Sequence, residues 1–106
     1  MAKYLLQASY TTQGVKGLLK EGGTSRREAV KKACKSLGAK LESIYFGFGE
    51  TDVHVIVDAP DNATMAALAL HISATGTVSV KTTPLLTPEE IDKAAKKTPN
   101  YRAAGQ

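Results

Sequence analysis

A single cysteine, Cys34, stands in a chain of 106 residues, so no internal disulfide can form and a reducing compartment fits. Only two histidines are present, His54 and His71. Neither has a Cys or acidic cluster at metal-ligand spacing, so a metal site made of protein side chains alone is not expected. Glycine motifs for nucleotides are missing too. Gly14-Val15-Lys16-Gly17 and Gly22-Gly23 have the spacing of neither a phosphate-binding loop nor a dinucleotide fingerprint, and no cofactor is expected. No Cys, His and acid set matches a nucleophilic triad signature. No apolar run approaches the roughly 20 residues that span a bilayer. Met1-Ala2-Lys3 leads directly into a strand-like segment, without an apolar leader or cleavage pattern. These absences set the expectation of a cytoplasmic protein with no membrane partner. The excess of one charge over the other is also small. The net charge is +4, from 14 basic and 10 acidic residues, with no concentrated basic stripe, so nucleic acid is not an expected partner.

What the sequence does contain is centred on residues 41–60, LESIYFGFGETDVHVIVDAP. Ile44, Phe46 and Phe48 alternate with Ser43, Tyr45 and Gly47. Val53, Val55 and Val57 alternate with His54, Ile56 and Asp58. A period of two in β-branched and aromatic residues marks half-buried strands. Phe must face Val across the pair, because a one-residue slip would move an apolar set into water. Two registers satisfy this. One turns at Gly49-Glu50 and pairs Phe46 with Val53 and Tyr45 with His54. The other turns over Gly49 to Asp52 and pairs Phe46 with Val55. Gly49 supplies the turn conformation in either.

Around this hairpin the elements follow in order. Lys3 to Tyr10 reads as a strand with Tyr4, Leu6, Ala8 and Tyr10 on one face. Thr11-Thr12 caps a short helix with Val15, Leu18 and Leu19 as its apolar stripe, ended by Gly22-Gly23. Ser25 and Glu28 have capping-box spacing for a second helix, with Val30, Ala33, Cys34 and Leu37 as its stripe and Gly38 as a left-handed stop. Asp61 or Asn62 caps a third helix to about Ser73, with Met65, Leu68, Ala69 and Ile72 facing the core. Thr77 to Thr83 is a last strand, closed by Pro84. Thr87-Pro88-Glu89-Glu90 starts a terminal helix.

The order β-α-β-β-α-β, with an extra C-terminal helix, predicts an α+β ferredoxin-like sandwich: a four-stranded antiparallel sheet with helices on one face. Residues 1–98 form its single domain, and the tail 99–106 is loosely held. The other sheet face then carries Leu5, Gln7, Ser9, Ser43, Tyr45, His54, Ile56, Ser79 and Lys81. Its apolar members need cover, and a second copy of the chain about a two-fold axis is the simplest source. His54 is the best candidate for a general base near neutral pH, with Tyr45 across from it. Gln7, Ser9, Ser43 and Lys81 are candidates to orient a polar small molecule beside it. The plainer reading makes His54 a hydrogen-bonded interface residue, and Gln7, Ser9, Ser43 and Lys81 interface hydrogen-bonders or simply solvated. His71 and Cys34 read as structural.

KYLLQASYTTQGVKGLLKEGG, the SRREAV helix, SLGAKLESIYFGFGETDVHVIVDAPDN and VSVKTTPLLTPEEID together resemble the GYD-domain family of small bacterial and archaeal proteins. Of its hairpin-turn signature, Gly49 and Asp52 match, while Thr51 stands in the place of the tyrosine. The resemblance implies a ferredoxin-like fold of the dimeric α/β-barrel kind, and no settled activity. Some dimeric barrels hold a ligand between sheet and helices, where Tyr4 and Tyr10 would line it. Three functions are therefore expected to compete. The first is a homodimeric small-molecule-binding or accessory module. The second is a cofactor-independent oxygenase or isomerase acting on a small aromatic or carbonyl compound, with His54 as base. The third is a purely structural assembly protein.

Overall fold

The structure, a computed structural model, describes residues 1–106. Its elements are β1 (Ala2–Tyr10), α1 (Thr12–Glu21), α2 (Gly23–Ser36), β2 (Lys40–Phe46), β3 (Val53–Ala59), α3 (Asn62–Ser73), β4 (Val78–Leu85) and α4 (Pro88–Lys96). The strands lie in the order β2-β3-β1-β4, each antiparallel to its neighbour. Each strand–helix–strand unit thus skips over one central strand, which is the ferredoxin-like arrangement expected from the sequence.

Register sorts the side chains into rungs. Leu41, Val57, Tyr4 and Pro84 lie side by side across the sheet, as do Ile44, Val55, Leu6 and Thr82, and Phe46, Val53, Ala8 and Val80. These rungs face the helices. α2 lies over β2, and α3 over β4 and β3. Tyr4, Leu6, Val53, Val55, Val57 and Ala59 are buried beneath them, against Cys34, Met65 and Leu68. The hairpin adopts the first of the two registers, with Phe46 opposite Val53 and Tyr45 opposite His54. A bulge at Glu42 makes it possible for both Leu41 and Ile44 to point inward, because the extra residue resets the alternation between them.

Several local expectations need correction. The β2–β3 ladder stops at Phe46, and Gly47–Asp52 form the connection, closed by Gly47 N–H donating to the Asp52 carbonyl at 2.8 Å. Phe48 is therefore a loop residue and fully exposed. The second helix starts at Gly23 behind Gly22, whose φ of 84° only glycine adopts at ease, and no side chain caps it; the Ser25–Glu28 box does not form. Leu37 is 39 % exposed, because it follows the last turn of α2. Pro84 does not end β4 but lies within it. β4 is an edge strand, where a missing N–H breaks no ladder bond on the outer side.

The other caps form as the sequence indicates. Thr11 accepts from Gly14 N–H, Asp61 from Thr64 N–H, and Thr87 and Glu90 bond reciprocally at the start of α4. The Thr64 hydroxyl and amide both donate to Asp61 and hold its carboxyl below the usual carboxylate range. A group whose pKa is depressed by folding stabilises above its unfolded value and loses that contribution as pH falls through the folded one. Asp61→Asn keeps a good cap but cannot titrate. The melting-temperature advantage of wild type over this variant is expected to be constant above pH 5 and to shrink as pH falls below about 4, read by thermal denaturation at a series of pH values.

α4 buries none of its residues, and Ile91 is half exposed. With the tail it forms an arm, which explains extents of 56 × 33 × 22 Å and a radius of gyration of 16.9 Å, against about 13 Å for a compact domain of this size. Deleting Thr87–Gln106 should therefore move the melting temperature by less than about 3 °C, since no core contact is lost. A larger fall in a thermal scan would show that the arm is packed.

Candidate functional site

The open face of the sheet brings four of the sequence's six candidate residues into one row. Tyr45, His54, Gln7 and Lys81 are direct neighbours from β2 to β4. The next rung is Ser43, Ile56, Leu5 and Thr83. Beyond it, Lys3 Nζ donates to Glu42 at 2.6 Å and to Asp58 at 3.1 Å, and this pairing raises the Lys3 pKa. Tyr45 and His54 are exposed, while Leu5 and Ile56 are half-buried by their neighbours. Ser9 is set apart from the row: its hydroxyl donates to the Glu50 carbonyl at 2.6 Å.

That bond belongs to a set that folds the hairpin loop over the end of β1. Asp52 N–H donates to the Ala8 carbonyl at 2.9 Å, and the Asp52 carboxylate accepts from Tyr10 N–H at 2.9 Å. Of the turn signature, Asp52 therefore clamps the loop, and Gly49 supplies a φ of 137°. Between loop and edge strand lies an open, polar depression of about 460 Å³, lined by Gln7, Ser9, Glu50, Thr51, Ser79, Val80 and Lys81. His54, Tyr45 and Ser43 lie outside its lining.

The covered face holds a second and more apolar space, a hollow of about 440 Å³ beneath α1. Ala8, Ile44, Val53, Val55 and Val80 floor it, and Val30 and Ile72 close it from α2 and α3. Side chains of the roof leave this space unfilled. α1 turns Gly14, Gly17 and Leu18 inward, while Val15 and Leu19, expected in its core stripe, are 43 % and 82 % exposed. A Cβ on Gly17 would meet nothing within 4 Å. The helix is seated instead at its start. Thr11 N–H donates to the Thr77 carbonyl at 2.9 Å, and the Thr11 hydroxyl to the Gly76 carbonyl at 2.9 Å.

Polar groups on the lining are Tyr10, Gln13, Thr75 and Thr77, with Lys20, Glu21 and Arg26 from the α1–α2 junction. Burial pushes the Tyr10 hydroxyl pKa up, against the opposing effect of Arg26 beside it, so the phenol stays protonated at neutral pH. Burial likewise raises the Cys34 thiol, which leaves it a core residue rather than a nucleophile. The sequence signal for this hollow was the Gly14 and Gly17 spacing of i, i+3, which puts both glycines on one helix face.

No group of three or more His, Cys, Asp or Glu side chains is placed to hold a metal ion, and no helix is long and apolar enough to cross a membrane. By strand order and helix placement the chain is a ferredoxin-like α+β protein with one bare sheet face and a hollow under its first helix. The GYD domain profile matches residues 4–95, and the chain belongs to the GYD domain family. No curated protein matches it.

Proposed function

We propose that this GYD-domain protein is a homodimeric small-molecule-binding or accessory module whose ligand occupies the hollow between α1 and the sheet. One observation carries the reading: α1 presents Gly14, Gly17 and a single large apolar side chain, Leu18, to the hollow and turns Val15 and Leu19 to solvent, where a helix that fills a core would bury all three. The hollow is partly open to solvent, and its volume of about 440 Å³ lies in the range of small-ligand pockets. The dimer half of the reading is supported by the bare sheet face. The buried core lies on the helix-covered side of the sheet, and Leu5, Ile56 and Tyr45 on the other side await cover that no helix of the same chain supplies. A second copy would also give Tyr45, His54, Gln7 and Lys81 partners at its seam.

The test is a methyl NMR titration with small apolar probes such as toluene, indole and cyclohexane derivatives. Shifts are expected at Val53, Val55 and Val80. Gly17→Leu fills the space and should abolish them while the fold persists. Shifts confined to Leu5 and Ile56, or unchanged in Gly17→Leu, would place binding elsewhere and defeat the reading.

A further inference from the structure

We infer that the hollow accepts a small monocarboxylic acid with an apolar body, whose carboxylate is held by Arg26 and the Tyr10 hydroxyl. The inference rests on the proposed use of the hollow as a binding site and adds the chemical class. Its apolar floor of Ile44, Val53, Val55 and Val80 offers nothing to a polar body, so the ligand's bulk is hydrocarbon. The charged lining residues are Lys20, Glu21 and Arg26, which leave one net positive charge. A monoanion balances that charge, and a phosphate monoester would exceed it.

Arg26 is the cation best placed to receive a carboxylate. Its one ion-pair partner is Glu21, at 3.4 Å, longer than the roughly 2.7–2.9 Å of a strong charge-assisted bond. Both side chains of that pair are more than a third exposed, so the pair is loosely held. A guanidinium carries five donors in a planar fork that matches a carboxylate, and this contact leaves most of them unused. Tyr10 adds an O–H donor beside Arg26 on the same lining. It is placed by the backbone bond from its N–H to Asp52, so the family turn residue fixes one wall of the hollow. A neutral ligand of the same shape would leave the net positive charge of the lining unbalanced, and a cationic one would add to it.

The experiment compares cyclohexanecarboxylate, benzoate and 3-phenylpropionate with their primary amides by calorimetric or NMR titration of the full-length protein. At least one acid is expected to bind tenfold or more tightly than its amide. Arg26→Gln should remove that preference by weakening the acid alone, while Arg26→Lys, which keeps charge but loses the fork, should retain part of it. Tyr10→Phe should weaken the acid several-fold. Arg26 is exposed enough that these variants should keep the wild-type methyl spectrum. Equal affinity of every acid and its amide, with both lost in Gly17→Leu, overturns the assignment of ligand class and leaves the hollow as a binding site. Failure of all six compounds to bind, or binding that Gly17→Leu does not change, overturns both.

Discussion

Gly14→Ala should be severely destabilising, and Gly17→Ala, three residues on in the same helix, should be stabilising. Position 14 is where α1 touches the sheet edge. A Cβ there falls far inside contact distance of the Thr77 carbonyl oxygen and 2.7 Å from Tyr10 Cδ1. The oxygen belongs to the backbone, so no side-chain rotation relieves the overlap. The helix start would have to lift away, which breaks the two bonds from Thr11 to Gly76 and Thr77. Overpacking plus two lost hydrogen bonds amounts to about 3 kcal/mol, or a fall in melting temperature of roughly 15 °C for a domain of this size. At Gly17 the same methyl group meets open space. Alanine there gains helix propensity of up to about 1 kcal/mol and should raise the melting temperature by a few degrees. Thermal scans of the two variants at equal protein concentration decide the matter. Equal effects at both positions would mean that α1 does not sit on the sheet by its Gly14 face.

The contrast also shows where sequence reasoning succeeded and where it stopped. Strand faces were legible because alternation is strict in β1 and β3: Tyr4, Leu6, Val53, Val55 and Val57 all went inward as the pattern requires. Met65 and Leu68 are buried for the same reason at helical period, and Asp61 and Thr87 cap where their side chains can reach. Apart from Phe48, Leu37 and Pro84, the errors lie on α1 and its junction with α2. Hydrophobic periodicity assumes that large apolar residues seek the core, and a helix that roofs a hollow violates that assumption. Ser25 failed as a cap because Gly22, with its positive φ, lets the chain turn and restart earlier, within one residue of the end of α1. The row Tyr45, His54, Gln7 and Lys81 was half legible. The hairpin register supplies the first pair, but only the sheet order brings β1 and β4 alongside. Its candidate base, His54, alternates with Val53 and Val55 and so lies across the sheet from the hollow they floor.

Ile56→Lys is expected to separate the proposed dimer without unfolding the protomer. Ile56 sits on β3, directly between Ser43 and Leu5, in the rung next to Tyr45, His54 and Gln7. It is half-buried in the single chain, with its outer surface on the bare face. A two-fold axis uses the same patch on both protomers, so one substitution introduces two ammonium groups into the seam. The two carboxylates nearest this rung, Glu42 and Asp58, already share Lys3 at 2.6 and 3.1 Å, so a new ammonium must compete with it for them. Desolvating unpaired ammonium groups costs several kcal/mol each, so the dimer dissociation constant should rise by at least a hundredfold, about 3 kcal/mol. The protomer itself keeps its core, because a lysine at this position can extend its stem along the sheet and leave its head in water. Sedimentation velocity across a concentration series would report the change in association. Far-UV circular dichroism and probe binding in the hollow, on the opposite side of the sheet, should be retained. A wild-type protein that sediments as a monomer at tens of micromolar would remove the dimer from the proposal. The hollow would remain, since every residue that lines it comes from one chain.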